Sequence, residues 1–483
     1  MPTKPTLESE VQLQSRSGAL RRELGLRDLV FAQIGYIVIP EFFGTAAKAG
    51  AYHVVLWLLA IALFFLPLAF LVAHLNRLIP LEGGLYEWAR LAFGDQIGFL
   101  VAWNLWLYAV IYMALIGMVT TSFVAYALGS GAAWITASKW IVLATSFALI
   151  AALILLARVG FHIGKWVTNT GGFFTLLVLG ALVLMPLFHS LSVTPAGYHP
   201  LRVVLPPPTF FTLSVFSKMA LGALCGFEYV AIFSGECRNP ERNLARSILL
   251  TAPLIALLYI LGTSAILAFV PSDAVDVIAA IPQALTRGFH SLGLSGIILP
   301  ASVLLLLTNY VATFNVNFNG CARLPMVAGW DHLLPSWFTR LHPKYRTPVN
   351  SIYFAGAVAM VVSIIVLIGV GEQEAFELLL VLAFAFYATA YLALFAIPLL
   401  ARKELNIRPA LWLRIGAVFG LLITLLYILL SVFPIVDVQS SWEYSAKTAI
   451  GLLGANGIGI VLYRWGRKKA SVSANVVSGT GAN

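Results

Sequence analysis

The chain has 483 residues, of which 60% are hydrophobic and only 10% charged, with a mean hydropathy of +0.91. A soluble fold of that composition could not cover its core with polar surface, which excludes soluble enzymes and binding modules and points to a polytopic protein of the lipid bilayer. Basic loops facing anionic headgroups account for the formal charge of +10 without any nucleic acid.

A helix needs roughly 20 apolar residues to cross the hydrocarbon. About twelve runs of that kind follow one another, at 26–49, 54–76, 97–128, 138–157, 166–188, 210–234, 247–270, 291–322, 349–369, 375–401, 411–433 and 445–463. The fold class expected is an all-α membrane protein. Residues 1–20 and 466–483 read as polar tails, and the segment after Lys469 is expected to lack fixed structure. The domain between them, 21–465, divides into 26–188, 210–401 and two further helices over 411–463.

Arginine and lysine crowd into alternate loops. Arg77, Arg90, Arg158, Lys165, Arg238, Arg242, Arg246, Arg340, Lys344, Arg346, Arg402, Lys403 and Arg408 fall on one side with both chain ends, against Lys48, Lys139, Arg202, Arg287 and Lys447 on the other. Because basic flanks are retained in the cytoplasm, the expectation is a multi-pass protein of the cell (plasma or inner) membrane with both termini cytoplasmic. The first twenty residues lack the pattern of a cleavable signal, and the first span is expected to serve as the insertion signal. Cys225, Cys237 and Cys321 form neither an even framework nor a CxxC pair, which argues against disulfides and metal sites; no cofactor motif is present.

Two spans are interrupted near their middles. The first reads YIVIPEFFG, with Pro40 and Glu41; the sixth reads GALCGFEYV, with Gly222, Gly226 and Glu228. Proline removes a backbone donor and glycine lowers the cost of unwinding, so both helices are expected to break at mid-membrane. Five spans separate the two breaks. An odd number of crossings would make a second repeat inverted with respect to the first, and paired broken helices mark the solute site of such transporters.

A carboxylate inside a membrane helix costs about 2.5–3.5 kcal/mol on insertion scales and persists where it acts. Glu228 reads as an acid that takes and releases a proton as its cavity alternates between sides, against a bland reading in which it pairs with a helix end or a hydroxyl. Glu41 either binds a solute ammonium group or accepts hydrogen bonds from amides freed at the break. Lys218 is expected to snorkel to the outer surface. Asn315 and Asn319, four residues apart on one helix face, read as interhelical glue. Trp103, Trp106, Tyr108 and Tyr112 in span 3 and Phe384, Phe386, Tyr387 and Tyr391 in span 10 are the weaker candidates for gating by bulk.

Three segments, PLEGGLYEWARLAFGDQIGFLVAWN at 80–104, GFE at 226–228 with CRNPERNLARSI at 237–248, and ARLPMVAGWDHLLPSWFTRLHPKYRTPVNSI at 322–352, resemble segments of the amino acid–polyamine–organocation superfamily and follow one another in the same order. The resemblance covers about residues 24–400. It implies a LeuT-like five-plus-five inverted repeat with two added C-terminal helices, alternating access, and a small solute held against unwound backbone in helices 1 and 6. Carried onto this sequence, the substrate-binding set is Ile37, Val38, Pro40, Glu41 and Phe42 with Ala223, Cys225, Gly226 and Phe227, and Glu228 matches an acid implicated in gating or proton coupling. Helix 1 departs from the GSG-type turn of many amino acid carriers: Pro40 has no amide to offer a carboxylate, and Glu41 would repel one.

The function expected is that of a permease or antiporter moving amino acids or related amines, coupled to H+ or working by exchange. A solute sensor on a transporter fold is the other reading, disfavoured by the short cytoplasmic segments. No catalytic constellation supports an enzyme.

Overall fold

The computed structural model describes residues 20–479 apart from 193–200, 202, 292, 294, 367–371, 402–404, 406–408 and 435–439. Sequence expectations for Arg202, Arg402, Lys403, Arg408 and most of the N-terminal tail therefore lie outside the described residues. Almost everything described is helical; the only β pairings among these residues are isolated bridges, Leu24 with Cys237 and Leu341 with Pro348.

Ten helices are long and apolar enough to cross a membrane, and an eleventh span arises if Leu26–Ile37 and Pro40–Ala47, bent by 43° at a short break, count as one. That pair is α1. The others are α2 (Gly50–Leu78), α3 (Asp95–Leu128), α4 (Lys139–Val159), α5 (Phe161–Leu187), α6 (Phe210–Glu236), α7 (Pro240–Phe269), α8 (Ile298–Trp330), α10 (Glu374–Leu400), α11 (Leu411–Leu430) and α12 (Ser441–Arg467). The ninth run, α9 (Val349–Val366), is apolar but shorter, and it borders residues outside the description.

Burial sorts these helices. α3 and α6 are mostly enclosed by protein, whereas α4 and α12 turn most of their surface outward. Exposed Leu155, Trp166, Leu249, Leu429 and Leu453 form apolar outer surface of the kind that faces acyl chains. Inside, α5 lies along α8, α3 along α10, and α7 along α1 and α2. Small residues permit the closest approaches: a Cβ at Gly172 on α5 would stand 2.8 Å from the Phe31 carbonyl of α1.

The asparagines of α8 act as the sequence suggests. Asn315 Nδ2 donates to the Gly164 carbonyl and to Thr168 Oγ1, both at 3.1 Å, tying α8 to α5, and Asn319 Nδ2 donates back to Asn315.

Two expectations need correction. Lys218 does not snorkel outward. It is 5% exposed and its ammonium donates to Glu377 Oε1 of α10 at 3.0 Å, because the π-helical turn Lys218–Ala223 carries it into the bundle, where a carboxylate meets it. The last helix likewise runs on to Gly479, past the predicted span 445–463 and beyond the apolar part Ser441–Arg467, into the segment after Lys469 that the sequence reads as lacking fixed structure.

Candidate functional site

Both predicted breaks are present. In α1 the first half ends at Ile37, Val38 and Ile39 leave the helix, and the second half begins at Pro40. Proline at the first position of a helix loses no hydrogen bond, since that amide has no intrahelical partner. Two backbone groups freed by the break share one side chain: the Tyr259 hydroxyl of α7 donates to the Ile37 carbonyl at 2.7 Å and accepts from the Ile39 amide at 3.0 Å, while Thr313 of α8 donates to the Gly35 carbonyl. Tyr259 is fixed in turn between the rings of Phe43 and Trp57.

In α6 the π-helical turn ends at Ala223, and Gly226 caps a new short helix, Phe227–Val230. Gly226 has φ +124°, and a Cβ there would lie 2.9 Å from the Tyr36 ring, so backbone conformation and close packing both select glycine. The two breaks therefore touch, with Tyr36 and Ile37 against Gly226 and Phe42 against Gly222.

The two acids hold the same register. Glu41 is the second residue of its half-helix, after Pro40, and Glu228 is the second of its own, after Phe227. A helix N-terminus favours negative charge at that position. Their partners differ. Glu228, with no exposed surface, accepts hydrogen bonds from the hydroxyls of Tyr387 and Tyr391 on α10, one on each carboxyl oxygen. Tyr391 also accepts from the Gly226 amide at 3.0 Å, so a single phenol joins the acid to the cap of the break. Glu41 is 1% exposed, yet its Oε2 has no hydrogen-bond partner. The hydroxyl of Tyr112, within electrostatic reach of Glu41, is also buried and unpartnered, and that of Tyr310 faces the acid as its one nearby donor. Both phenols flank Phe314. Among the described residues no lysine, arginine or histidine forms an ion pair with either acid.

Aromatic rings close the space between. Tyr36 stacks on Tyr229 and donates to the Tyr108 hydroxyl at 3.0 Å; Tyr108 stacks on Tyr387 at 4.3 Å; Phe42 meets Phe384 edge-on at 5.1 Å. Ile37, Val38, Pro40, Glu41, Phe42, Ala223, Cys225, Gly226, Phe227 and Glu228 are all buried around this centre. Sequence reasoning took Tyr387 and Tyr391 as bulk, whereas their hydroxyls are what the acid uses. It missed Tyr259 and Tyr310 altogether; the available signal was a lone phenol inside an apolar run.

A second charged cluster lies at the end of the bundle where α1 begins. Arg323 of α8 is held between the rings of Phe161 and Phe233, pairs with both carboxyl oxygens of Glu236 at the end of α6, and lies 4.0 Å from Glu82. Glu82 Oε2 accepts from the Gly235 amide at 2.5 Å. Burial, and then the neighbouring Glu236 carboxylate, push the Glu82 carboxyl up to about 8 against the pull of Arg323. Nearby, burial raises the Asp331 carboxyl, although Arg90 pairs with it at 2.8 Å. The Glu236 carbonyl accepts from the amides of Glu23 and Leu24, which fastens the segment before α1 to the same cluster.

The sequence profile of the amino acid permease family matches residues 24–455. The chain belongs to this family. The permease is 26% identical to the methylthioribose transporter of Bacillus subtilis (strain 168), over 74% of this chain and 77% of that protein. It is 24% identical to the branched-chain amino acid permease BcaP of the same organism, over 78% and 83%. Among solved structures, the permease superposes on MhsT in complex with L-phenylalanine with a TM-score of 0.58 at 13% identity, covering 84% of this chain and 97% of that one. The fold is thus LeuT-like and the protein is a transporter, not an enzyme.

Proposed function

We propose that this permease moves an amino acid or related amine by alternating access, that Glu41 receives the solute's ammonium group, and that Glu228 is the acid whose protonation couples or gates the cycle. The observation that carries the reading is the carboxylate of Glu41, buried with no cation paired to it among the described residues and with the Tyr310 phenol as its one nearby donor, beside the unpartnered phenol of Tyr112. Buried polar atoms are nearly always satisfied, so a carboxylate and a phenol left short of partners side by side support a solute site, where the solute would supply the missing donors and acceptors. A primary ammonium offers three donors and the opposite charge. The relatives named above are a methylthioribose transporter and a branched-chain amino acid permease, so the preference for an amine rests on Glu41 and not on them.

Ile37, Val38, Pro40 and Phe42 with Ala223, Cys225, Gly226 and Phe227 would form the wall around that ammonium. The equal register of Glu41 and Glu228, five spans apart, supports two repeats of opposite direction within 26–188 and 210–401. The bias of basic residues supports a cell membrane location with both termini cytoplasmic. Protons fit the coupling role because the hydrogen bonds on Glu228 come from neutral phenols, which leaves its charge free to be cancelled by a proton.

Counterflow in proteoliposomes with labelled zwitterionic amino acids, cationic amino acids and polyamines tests this. The expected result is exchange confined to amines and cationic amino acids, abolished in Glu41→Gln. Exchange of neutral or acidic amino acids that survives Glu41→Gln would refute the solute assignment.

A further inference from the structure

A second space lies apart from the Glu41–Glu228 centre, between the far end of α3, the loop leading into the helix Ala280–Ser291, and the start of α8. The cavity measures about 490 Å³, ample for an amino acid or a diamine, and Ser122, Tyr126, Thr136, Asp276, Thr286 and Leu299 are among its lining. Its polar end is built. The Tyr126 hydroxyl donates to Asp276 Oδ2 at 2.5 Å, and Asp276 Oδ1 accepts from the amides of Ile278 and Ala279 at 2.9 and 3.2 Å. All three donors are neutral. Arg287 stands near enough to act on Tyr126 electrostatically, but its guanidinium donates to the Phe269 carbonyl, and among the described residues it forms no ion pair with Asp276. The cavity thus presents a carboxylate that forms no ion pair among the described residues, with Arg287 standing off from it, framed by hydroxyls and apolar carbon.

Two contacts join this cavity to Glu41. Phe123, one helical turn from Tyr126, packs on Tyr310 at 5.1 Å, and Tyr310 is one of the phenols beside Glu41. On the other side, Gly44 of the half-helix carrying Glu41 lies against the Asp276–Ala280 loop so closely that a Cβ would come within 2.7 Å of the Val277 carbonyl. An aromatic contact and a loop contact thus link the lining of this cavity to the surroundings of Glu41.

We infer that this cavity is a binding site for a small organic ammonium ion, an outer subsite that the solute occupies before it passes the Phe123–Tyr310 layer to Glu41. The inference rests on the proposed function in taking the solute to be an amine. Asp276 draws the ammonium, and the hydroxyls of Ser122, Thr136 and Thr286 replace part of its hydration shell. Because the same loop braces the Glu41 half-helix, occupancy outside is felt at the inner acid.

Equilibrium dialysis of the purified full-length permease with labelled lysine and labelled putrescine counts the sites. Asp276→Asn keeps an oxygen for the Ile278 and Ala279 amides while removing the charge, and Ala125→Trp fills the cavity from another wall. The expected stoichiometry is about two per chain in the native protein and about one in Asp276→Asn, in Ala125→Trp and in Glu41→Gln. A single native site that is lost in Glu41→Gln and indifferent to the other two variants would overturn the outer subsite and leave the Glu41 assignment standing. A single site lost in Asp276→Asn and Ala125→Trp but retained in Glu41→Gln would do the reverse. Absence of binding by both probes would overturn the ammonium specificity of both sites.

Discussion

Replacing Glu228 by glutamine separates its charge from its shape. In the native protein each carboxyl oxygen accepts from a phenol, and hydrogen bonds to a charged group contribute about 1.5–3 kcal/mol apiece. Glutamine keeps one carbonyl oxygen for one tyrosine and turns an NH2 toward the other. If that other is Tyr391, the NH2 meets an oxygen that already accepts from Gly226, so one bond weakens and one is lost, at a cost of roughly 2–4 kcal/mol. Against this, a buried charge and its desolvation penalty of several kcal/mol are removed. The two contributions nearly offset, so the variant should fold and should resemble the protonated carrier. Counterflow at equal pH on both sides should stay within about tenfold of native, which corresponds to about 1.4 kcal/mol. Accumulation driven by a pH gradient should disappear, and uptake should lose its dependence on pH. Gradient-driven accumulation of native size in Glu228→Gln would refute the coupling role.

Tyr259→Phe should destabilise the fold through the α1 break. It leaves the Ile37 carbonyl and the Ile39 amide without their shared hydroxyl, and because those two groups also meet each other at 3.0 Å the loss should be near 2 kcal/mol, read as a fall of several degrees in the thermal midpoint. An unchanged midpoint would show that the break supports itself. Glu82 governs a pH profile. With its carboxyl raised from 4.5 to about 8, the folded protein keeps a proton that the unfolded chain releases near 4.5. Its stabilisation is complete below about 4.5 and is lost as pH rises toward about 8, at no more than about 1.4 kcal/mol per pH unit. The thermal midpoint should therefore fall between pH 5 and 8 in the native protein and less steeply in Glu82→Gln; equal slopes would contradict the assignment.

The fold was legible because hydropathy counts the runs directly and because proline and glycine can interrupt a membrane helix only where other groups satisfy the backbone. YIVIPEFFG and GALCGFEYV both broke within a residue or two of where their composition pointed. The partners of the acids were not legible. Tyr391 lies 163 residues from Glu228 and Tyr259 lies 220 from Ile39, and no periodicity relates residues so far apart. Lys218 shows the same limit: judged along its own helix it was expected to reach for water, but Glu377, 159 residues later, decides where it goes. Glu41 was singled out for its residue type alone, and the sequence could not say that its carboxyl would be left half satisfied while its counterpart in α6 was saturated.

That inequality between two acids in equal register bears on how the permease responds to membrane voltage. Neither carboxylate faces a fixed cation among the described residues, so under the proposed roles the charge of the centre is set by how many protons and how many solute cations occupy it. A voltage acts on moving charge with about 2.3 kcal/mol per elementary charge per 100 mV. Any step that displaces the occupied centre relative to the membrane field would then differ in rate from the same step with the centre empty, and the side on which the carrier waits would depend on the electrical state of the cell as well as on the supply of solute.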